Sequence, residues 1–188
     1  MDITLLLIAL GLAMDAFSVS VTNGLCGKNI GIKQALLIGV FFGGAQAIMP
    51  TVGYYAGNIF AGYIESVDHW IAFFLLGIIG LKMILEARDK MKAPQKCDEK
   101  SLTVKMLFFQ AIATSIDALA VGISFAALKI NIAAAAAEIG LVTFLLSVIG
   151  VFIGKKAGGL FKEKAEIIGG VILILIGIKI LAEHLFVG

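Results

Sequence analysis

Two aspartates, Asp15 and Asp117, are the residues of this chain best placed to do chemistry. Each lies near the middle of a long apolar stretch and is followed by alanine, in IALGLAMDAFSVSVTNG and QAIATSIDALAVGISFA. An ionised carboxylate at the centre of a bilayer costs roughly 2.5–3.5 kcal/mol on insertion scales. Acids inside membrane helices are therefore candidates for binding cations or protons. Two acids in matching contexts predict a shared site.

The composition is that of an integral membrane protein. Of 188 residues, 60% are hydrophobic and only 15% are charged, and the mean hydropathy is +1.04. Soluble domains carry about 25% charged residues. The net charge of +2 comes without a basic stripe, a zinc-ligand cluster or a phosphate-binding glycine loop. These features argue against a nucleic-acid partner, a cofactor and an enzymatic function.

Six apolar runs are long enough to span a bilayer, which takes about 20 residues. They predict an all-α fold with transmembrane helices at Ile3–Gly24, Gln34–Gly57, His69–Ala87, Met106–Ala127, Ile132–Gly154 and Ile167–Phe186. The first run lacks a positive flank and a cleavage site, so we expect a retained helix. The polar segment 88–105 divides the chain into halves, 1–87 and 106–188.

The two halves resemble each other in sequence. Asp15 corresponds to Asp117 at an offset of 102, and Ile38-Gly39 corresponds to Ile139-Gly140 at an offset of 101. Each half has three predicted helices, an odd number, so the second half must insert upside down. The sequence thus predicts two inverted three-helix repeats, an architecture of secondary transporters. Asp15 and Asp117 would then reach the same depth from opposite sides.

Positive charge predicts the orientation of the helices. The odd-numbered connections carry twelve Lys and Arg residues, whereas the even-numbered connections carry only Lys129. The positive-inside rule places the odd-numbered connections in the cytoplasm. Segment 88–105 is then a cytoplasmic linker, and both termini lie outside.

Neutral side chains near the two acids are candidate ligands. The second helix contributes the amide of Gln46 and the thioether of Met49, and Pro50 predicts a break that exposes a backbone carbonyl. A proline kink healed by a neighbouring helix or a water is the alternative for Pro50. The remaining accessory candidates lie within two turns of an aspartate, and ordinary helix packing is the alternative for each hydroxyl: Ser18, Thr22, Gln110, Thr114 and Ser124.

Two carboxylates with neutral oxygens form a site suited to a divalent cation. Oxygen ligands favour Mg²⁺, Ca²⁺ and Mn²⁺, and a nearby thioether would favour a softer metal. Without the metal, two close carboxylates repel, so one would take up a proton. Proton antiport is therefore a hypothesis. The alternative for the pair is two separate structural acids.

Cys26 and Cys97 fall in predicted polar connections at positions that are not equivalent in the repeat. Two unrelated free thiols are the simpler interpretation, and a membrane thiol-disulfide protein is a remote alternative. Both cysteines are expected on the reducing side of the membrane.

The motifs AMDAFSVS and ATSIDALAVG, six spans and a charged central segment resemble the MntP-type manganese efflux pumps of bacteria, within the LysE transporter superfamily. The resemblance covers essentially the whole chain. It implies Mn²⁺ as the transported substrate and export across the bacterial cytoplasmic (inner) membrane. It also implies Asp15 and Asp117 as the paired acids. Some members carry an acid at the position of Gln46, so Gln46 is expected to be a neutral metal ligand here.

Other substrates fit the same residues. Another divalent cation or a cationic amino acid would also balance two acids, but an amino acid needs a partner for its carboxylate, and no cation is predicted at mid-depth. Six helices leave a homodimer open without supporting one.

Overall fold

The described part of the protein is helical. The computed structural model describes residues 3–27, 30–59 and 102–157, together with 73–74, 76–82, 84–85, 88, 167, 171, 173–178 and 181–182. Five helices have defined bounds: α1 (Ile3–Cys26), α2 (Ile32–Ile59), α3 (Val104–Thr114), α4 (Ile116–Ala127) and α5 (Ile132–Ala157). No strand occurs among the described residues.

Four of the predicted spans correspond to these helices. By length and hydropathy, α1, α2 and α5 can each cross a membrane. Helices α3 and α4 qualify together as a fourth span, bent by 41° at Ser115. For the predicted spans His69–Ala87 and Ile167–Phe186, the described residues are helical and the others lie outside the description. A bilayer core offers no water to backbone groups, so apolar runs of this length form helices.

Short side chains start two of the helices. The Thr103 hydroxyl accepts a hydrogen bond from the Met106 amide at 3.2 Å, which caps α3. The Asn131 carboxamide oxygen accepts from the amides of Ala133 and Ala134 at 3.1 and 3.3 Å, at the start of α5. Each cap satisfies backbone donors that have no partner inside the helix.

Hydroxyl groups explain the break between α3 and α4. The Ser115 hydroxyl donates to the carbonyl of Ala111 at 2.8 Å, and the Ser115 amide bonds instead to Ile112, three residues back, at 3.1 Å. The Thr114 hydroxyl donates to the carbonyl of Gln110 at 3.0 Å. Two consecutive side chains that compete for helix carbonyls loosen the regular backbone pattern and bend the helix.

The prediction of a break at Pro50 is wrong, because α2 runs without interruption from Ile32 to Ile59. The Pro50 backbone lies directly against Gly122 of α4, which supports the helix at this point. The Thr51 hydroxyl donates to the carbonyl of Ala47 at 2.8 Å, next to the carbonyl that Pro50 deprives of its amide partner. The alternative of a proline accommodated by a neighbouring helix fits the structure.

Glycines bring helix backbones together in two pairs, α1 with α5 and α2 with α4. A Cβ atom at Gly154 of α5 would overlap the carbonyl of Val21 in α1, and one at Gly53 of α2 would overlap the carbonyl of Leu119 in α4. Small residues permit such close approach in membrane helices, where packing contacts drive association.

The two pairs meet where α2 crosses α5. A Cβ atom at Gly43 would lie 2.7 Å from the carbonyl oxygen of Gly140, and one at Gly140 would lie 2.9 Å from Cβ of Ala47. The described core follows the same contacts. One cluster includes Ile8 and Leu12 of α1, and another includes Phe42 of α2.

The interpretation of Cys26 as a free thiol is wrong. Cys26, the last residue of α1, is disulfide-bonded, and the described residues include no free cysteine. The sequence contains one other cysteine, Cys97, which lies outside the described residues. A position in the repeat does not determine whether a cysteine is oxidised.

The glycine contacts predict which substitutions the fold tolerates. Gly154→Ala and Gly53→Ala should each lower the free energy of unfolding by about 1–3 kcal/mol, because a methyl group would overlap backbone atoms that cannot rotate away. The matched control is Gly44→Ala in α2, since nothing lies within 4 Å of a Cβ atom there. Thermal unfolding of the purified proteins in detergent is the measurement. Equal stability of all three variants would contradict the packing described.

Candidate functional site

Gln46 of α2 connects α1, which carries Asp15, to the end of α3, three residues before Asp117. Its side chain is fully buried, and its Nε2 atom donates to the carbonyl oxygens of Leu12 in α1 at 3.3 Å and Thr114 in α3 at 2.9 Å. Since both oxygens contact one nitrogen, they are at most about 6 Å apart. Residues 102 positions apart in sequence therefore meet at one amide group.

Leu12 and Thr114 occupy equivalent positions relative to the acids. Leu12 precedes Asp15 by three residues, and Thr114 precedes Asp117 by three residues. In α1 a side chain at Asp15 leans toward the preceding turn, which contains Leu12. Asp117 follows the bend at Ser115, in the first turn of α4. Both aspartates are half-buried, and each makes an interaction within the protein.

The carbonyl oxygen of the Gln46 side chain is a candidate ligand. It is buried, and no hydrogen-bond donor from the described part of the chain reaches it. The two backbone carbonyls fix which way the amide faces, because only its NH₂ group can donate to them. Its Oε1 atom must then face away from them. Neutral carbonyl oxygens of this kind suit hard divalent cations.

The break between α3 and α4 places the end of one helix and the start of another close to Asp117. Asp117 lies in the first turn of α4, where the partial positive charge of the helix N-terminus stabilises a carboxylate. Thr114 is the last residue of α3, and its carbonyl receives the Gln46 amide. Discontinuous helices with ends in mid-span are typical of ion and substrate sites in secondary transporters.

Three accessory hydroxyls are bonded within their own helices. The Thr22 hydroxyl donates to the carbonyl of Ser18 at 3.1 Å, the Thr114 hydroxyl donates to Gln110, and the Ser124 hydroxyl donates to Ala120 at 3.4 Å. Ser18 is buried and makes an interaction of its own. The structure thus gives Thr22, Thr114 and Ser124 a local backbone partner, which is the packing alternative. Their lone pairs could still accept.

Gln110 has a partner that the sequence did not indicate. Its side chain and that of Asn23 exchange hydrogen bonds, Asn23 Nδ2 to Gln110 Oε1 at 2.9 Å and Gln110 Nε2 to Asn23 Oδ1 at 3.3 Å. This pair ties the end of α1 to α3, so Gln110 serves the contact between helices. No signal in the sequence pointed to Asn23, because its equivalent in the second half, at the offset of 102, is Phe125 and carries no amide.

Met49 and Pro50 do not extend the polar site in the described structure. Met49 is partly buried and lines an apolar cavity of about 450 Å³ between α2 and α3, with Phe108 and Ala111 on its other wall. Pro50 contacts Gly122 of α4. The thioether therefore lies on an apolar wall.

Acidic ligands alone do not make a metal centre here. Within the described residues, no three His, Cys, Asp or Glu side chains come together as a metal-binding group. A cation site on these helices would have to combine the two aspartates with neutral oxygens such as Gln46 Oε1. That composition fits a site that binds an ion and releases it again, since fewer charged ligands lower affinity.

Comparisons with known proteins agree on one family. The family described as "Mntp: Putative manganese efflux pump" matches residues 29–181. A protein of Desulfitobacterium hafniense (strain Y51) named "Putative manganese efflux pump MntP" is 50% identical over 184 residues, which cover 98% of this chain and 96% of the relative.

Two further relatives carry the same name. The protein of Clostridium perfringens (strain SM101 / Type A) is 50% identical over 201 residues and 94% of its length, and that of Acetivibrio thermocellus is 51% identical over 184 residues and 92% of its length. These matches cover 97% and 98% of this chain. No solved structure matches the chain. With a family match over most of its residues and relatives at half identity over nearly its full length, the chain belongs to the Mntp family.

Proposed function

We propose that this protein exports Mn²⁺ across the bacterial cytoplasmic membrane, with Asp15, Asp117 and Gln46 as ligands of the ion in transit. The observation that carries the proposal is the Gln46 amide, which joins the backbone three residues before each aspartate and leaves its own oxygen without a donor from the described residues. The relatives named as manganese efflux pumps supply the identity of the metal.

Charge balance favours a bare divalent ion. Two carboxylates neutralise one Mn²⁺, and oxygen ligands suit its chemistry. The four described spans carry Lys only near their ends, at Lys33, Lys105, Lys155 and Lys156. An amino acid would bring a carboxylate that needs a cationic or helix-end partner at mid-depth, and these spans offer no cationic side chain there.

The packing supports two inverted repeats, 1–87 and 106–188, joined by a linker at 88–105. The first span of each half packs against the second span of the other half: α1 on α5, and the α3–α4 span on α2. The glycines at these contacts, Gly53 and Gly154, are themselves related by the repeat offset of 101. An inverted repeat would generate this reciprocal arrangement and place the ion site at the repeat interface.

Loop charges support an orientation with both termini outside and the 88–105 linker in the cytoplasm. In this orientation Cys26 faces the cytoplasm, where disulfides are rare. The proposal gives the bond at Cys26 no part in export. The function we propose is transport, as the family description states for its members.

Replacement of either aspartate should abolish export. Asp15→Asn or Asp117→Asn keeps the side-chain shape but leaves one negative charge against a divalent ion. Each variant, expressed in a host that lacks its own manganese exporter, should leave cellular Mn at the exporter-deficient level. The matched control is Glu138→Gln, which neutralises a membrane-embedded acid outside the two repeated motifs. The assignment of the site fails if well-expressed aspartate variants still lower cellular Mn. If the wild-type protein lowers the cellular content of Mg or Ca instead of Mn, the assignment of Mn²⁺ as the substrate is wrong.

Gln46→Leu should weaken Mn²⁺ binding and also destabilise the fold. It removes a ligand oxygen and takes the side-chain donor away from the Leu12 carbonyl and from the Thr114 carbonyl at the end of α3, at about 1–3 kcal/mol. The control is Asn23→Leu, which breaks the other amide contact between α1 and α3. Both variants should unfold at lower temperature, but only Gln46→Leu should lower Mn²⁺ affinity in equilibrium dialysis. Equal Mn²⁺ affinity in the two variants would show that Gln46 only stabilises the contact between helices and does not bind the metal.

Export should be coupled to proton uptake from the outside. When Mn²⁺ leaves, two carboxylates that share a site repel, so a proton that enters offsets one charge for the return step. In proteoliposomes that carry a trapped pH indicator, an imposed proton gradient should drive Mn²⁺ movement in the opposite direction. Mn²⁺ transport at a rate independent of pH, without proton counterflow, would exclude this coupling while leaving the ion site intact.

A further inference from the structure

Two hydroxyl groups in α5 are buried without a hydrogen-bond partner. Thr143 and Ser147 are fully buried, and neither Oγ1 of Thr143 nor Oγ of Ser147 has a partner in the described structure. Other hydroxyls in the described spans donate to a carbonyl one helical turn earlier: Ser20, Thr22, Thr51, Thr114, Ser115 and Ser124. Thr143 and Ser147 do not use the partner that their own helix offers.

An unpartnered buried hydroxyl is unfavourable. The cost is about 1–3 kcal/mol for a neutral polar group, and rotation toward the helix backbone would relieve it. Two such groups one turn apart on one helix are therefore more than incidental.

The register of α5 shows where the two hydroxyls lie in the fold. Gly140, three residues before Thr143, contacts α2 at Gly43, and Gly150, three residues after Ser147, contacts α1 at Phe17. Spacings of three and four residues keep Thr143 and Ser147 on the strip between these two contacts. Both hydroxyls thus lie along the seam where α1, α2 and α5 meet. Gln46 also extends from α2 toward α1, reaching the carbonyl of Leu12.

The repeat relates one of these two positions, Ser147, to Gln46. Ser147 corresponds to Gln46 at the offset of 101 that relates Gly39 to Gly140 and Gly53 to Gly154. Gln46 lies on the helix that packs against α4, which carries Asp117, and Ser147 lies on the helix that packs against α1, which carries Asp15. Each aspartate-bearing span therefore has, on its packing partner, a buried polar side chain at the same register.

Glu138 of α5 also has a buried oxygen without a described partner. It lies five residues before Thr143, which is about 140° away around the helix. It therefore belongs to another face of α5 and does not join this strip.

We propose that Thr143 and Ser147 are neutral oxygen ligands of the transported cation on the α1–α5 side of its route, with Ser147 as the counterpart of Gln46 on the α2–α4 side. This inference rests on the proposed export of Mn²⁺. Mn²⁺ favours six oxygen ligands, and two aspartates with one amide oxygen leave coordination positions open. Hydroxyl oxygens at the repeat-related step would fill them without adding charge, so the ion would remain exchangeable.

The test uses substitutions that remove only the hydroxyl. Thr143→Val and Ser147→Ala should each reduce Mn²⁺ affinity by about ten-fold in equilibrium dialysis with MnCl₂, and reduce export in everted vesicles to match. Their thermal stability should equal or exceed that of the wild type, because an unsatisfied buried group has been removed. The matched control is Ser20→Ala, a fully buried serine whose hydroxyl donates to Ala16 at 2.7 Å. It should leave Mn²⁺ affinity unchanged.

A gain in metal selectivity provides a second, independent measurement. Ser147→Cys replaces a hard oxygen with a soft sulfur of similar size, so the ratio of Cd²⁺ to Mn²⁺ affinity should rise at least ten-fold. A hydroxyl that holds only a structural water would not change this ratio. The inference is overturned if Thr143→Val and Ser147→Ala bind and export Mn²⁺ within two-fold of wild type. If those two variants behave like the wild type while Asp15→Asn loses export, only this inference fails and the proposed function stands. If the aspartate variants still export Mn²⁺, both the inference and the proposed function fail.

Discussion

One amide group holds the centre of this protein together. The Gln46 side chain is fully buried, and its nitrogen serves carbonyls from two different helices, α1 and α3. At membrane depth there is no water to take over these bonds, so the protein itself must supply both partners. The backbone segments three residues before Asp15 and Asp117 therefore meet at this amide. The break at Ser115 contributes to it, since it ends α3 at Thr114 and brings the Thr114 carbonyl to the amide.

The polar atoms of the described spans fall into two groups. Most hydroxyls are satisfied by the carbonyl one turn earlier, and the Asn23–Gln110 pair satisfies itself. The other group consists of neutral oxygens that the fold buries without a donor, including Gln46 Oε1. The first group stabilises helices and their contacts. The second is unfavourable for folding alone, which is why we assign it to the ion.

The sequence predicted the helices well and their irregularities poorly. The length of the apolar runs determines the spans, because a bilayer permits little else, and the predicted ends of α1 and α5 fall within three residues of those observed. The break depends on the rotamers of Thr114 and Ser115, which no pattern reveals. Pro50 suggested a break where a neighbouring backbone supports the helix instead. The selection of Gln46 rested on its depth, but its bonds to Leu12 and Thr114 required three helices in space. The repeat offset of 101 relates Ser147 to Gln46, but serine is an ordinary packing residue in such helices and did not stand out in the sequence.

The backbone contacts at the glycines limit how this protein can change shape. At Gly154 and Gly53 no side chain separates the paired helices, so no rotamer change can absorb a slide of α1 along α5 or of α2 along α4. Sliding within either pair is therefore hindered. The same holds where α2 packs along α5, at Gly43 and Gly140. A change of shape that keeps these contacts has to tilt the helices rather than slide them past one another.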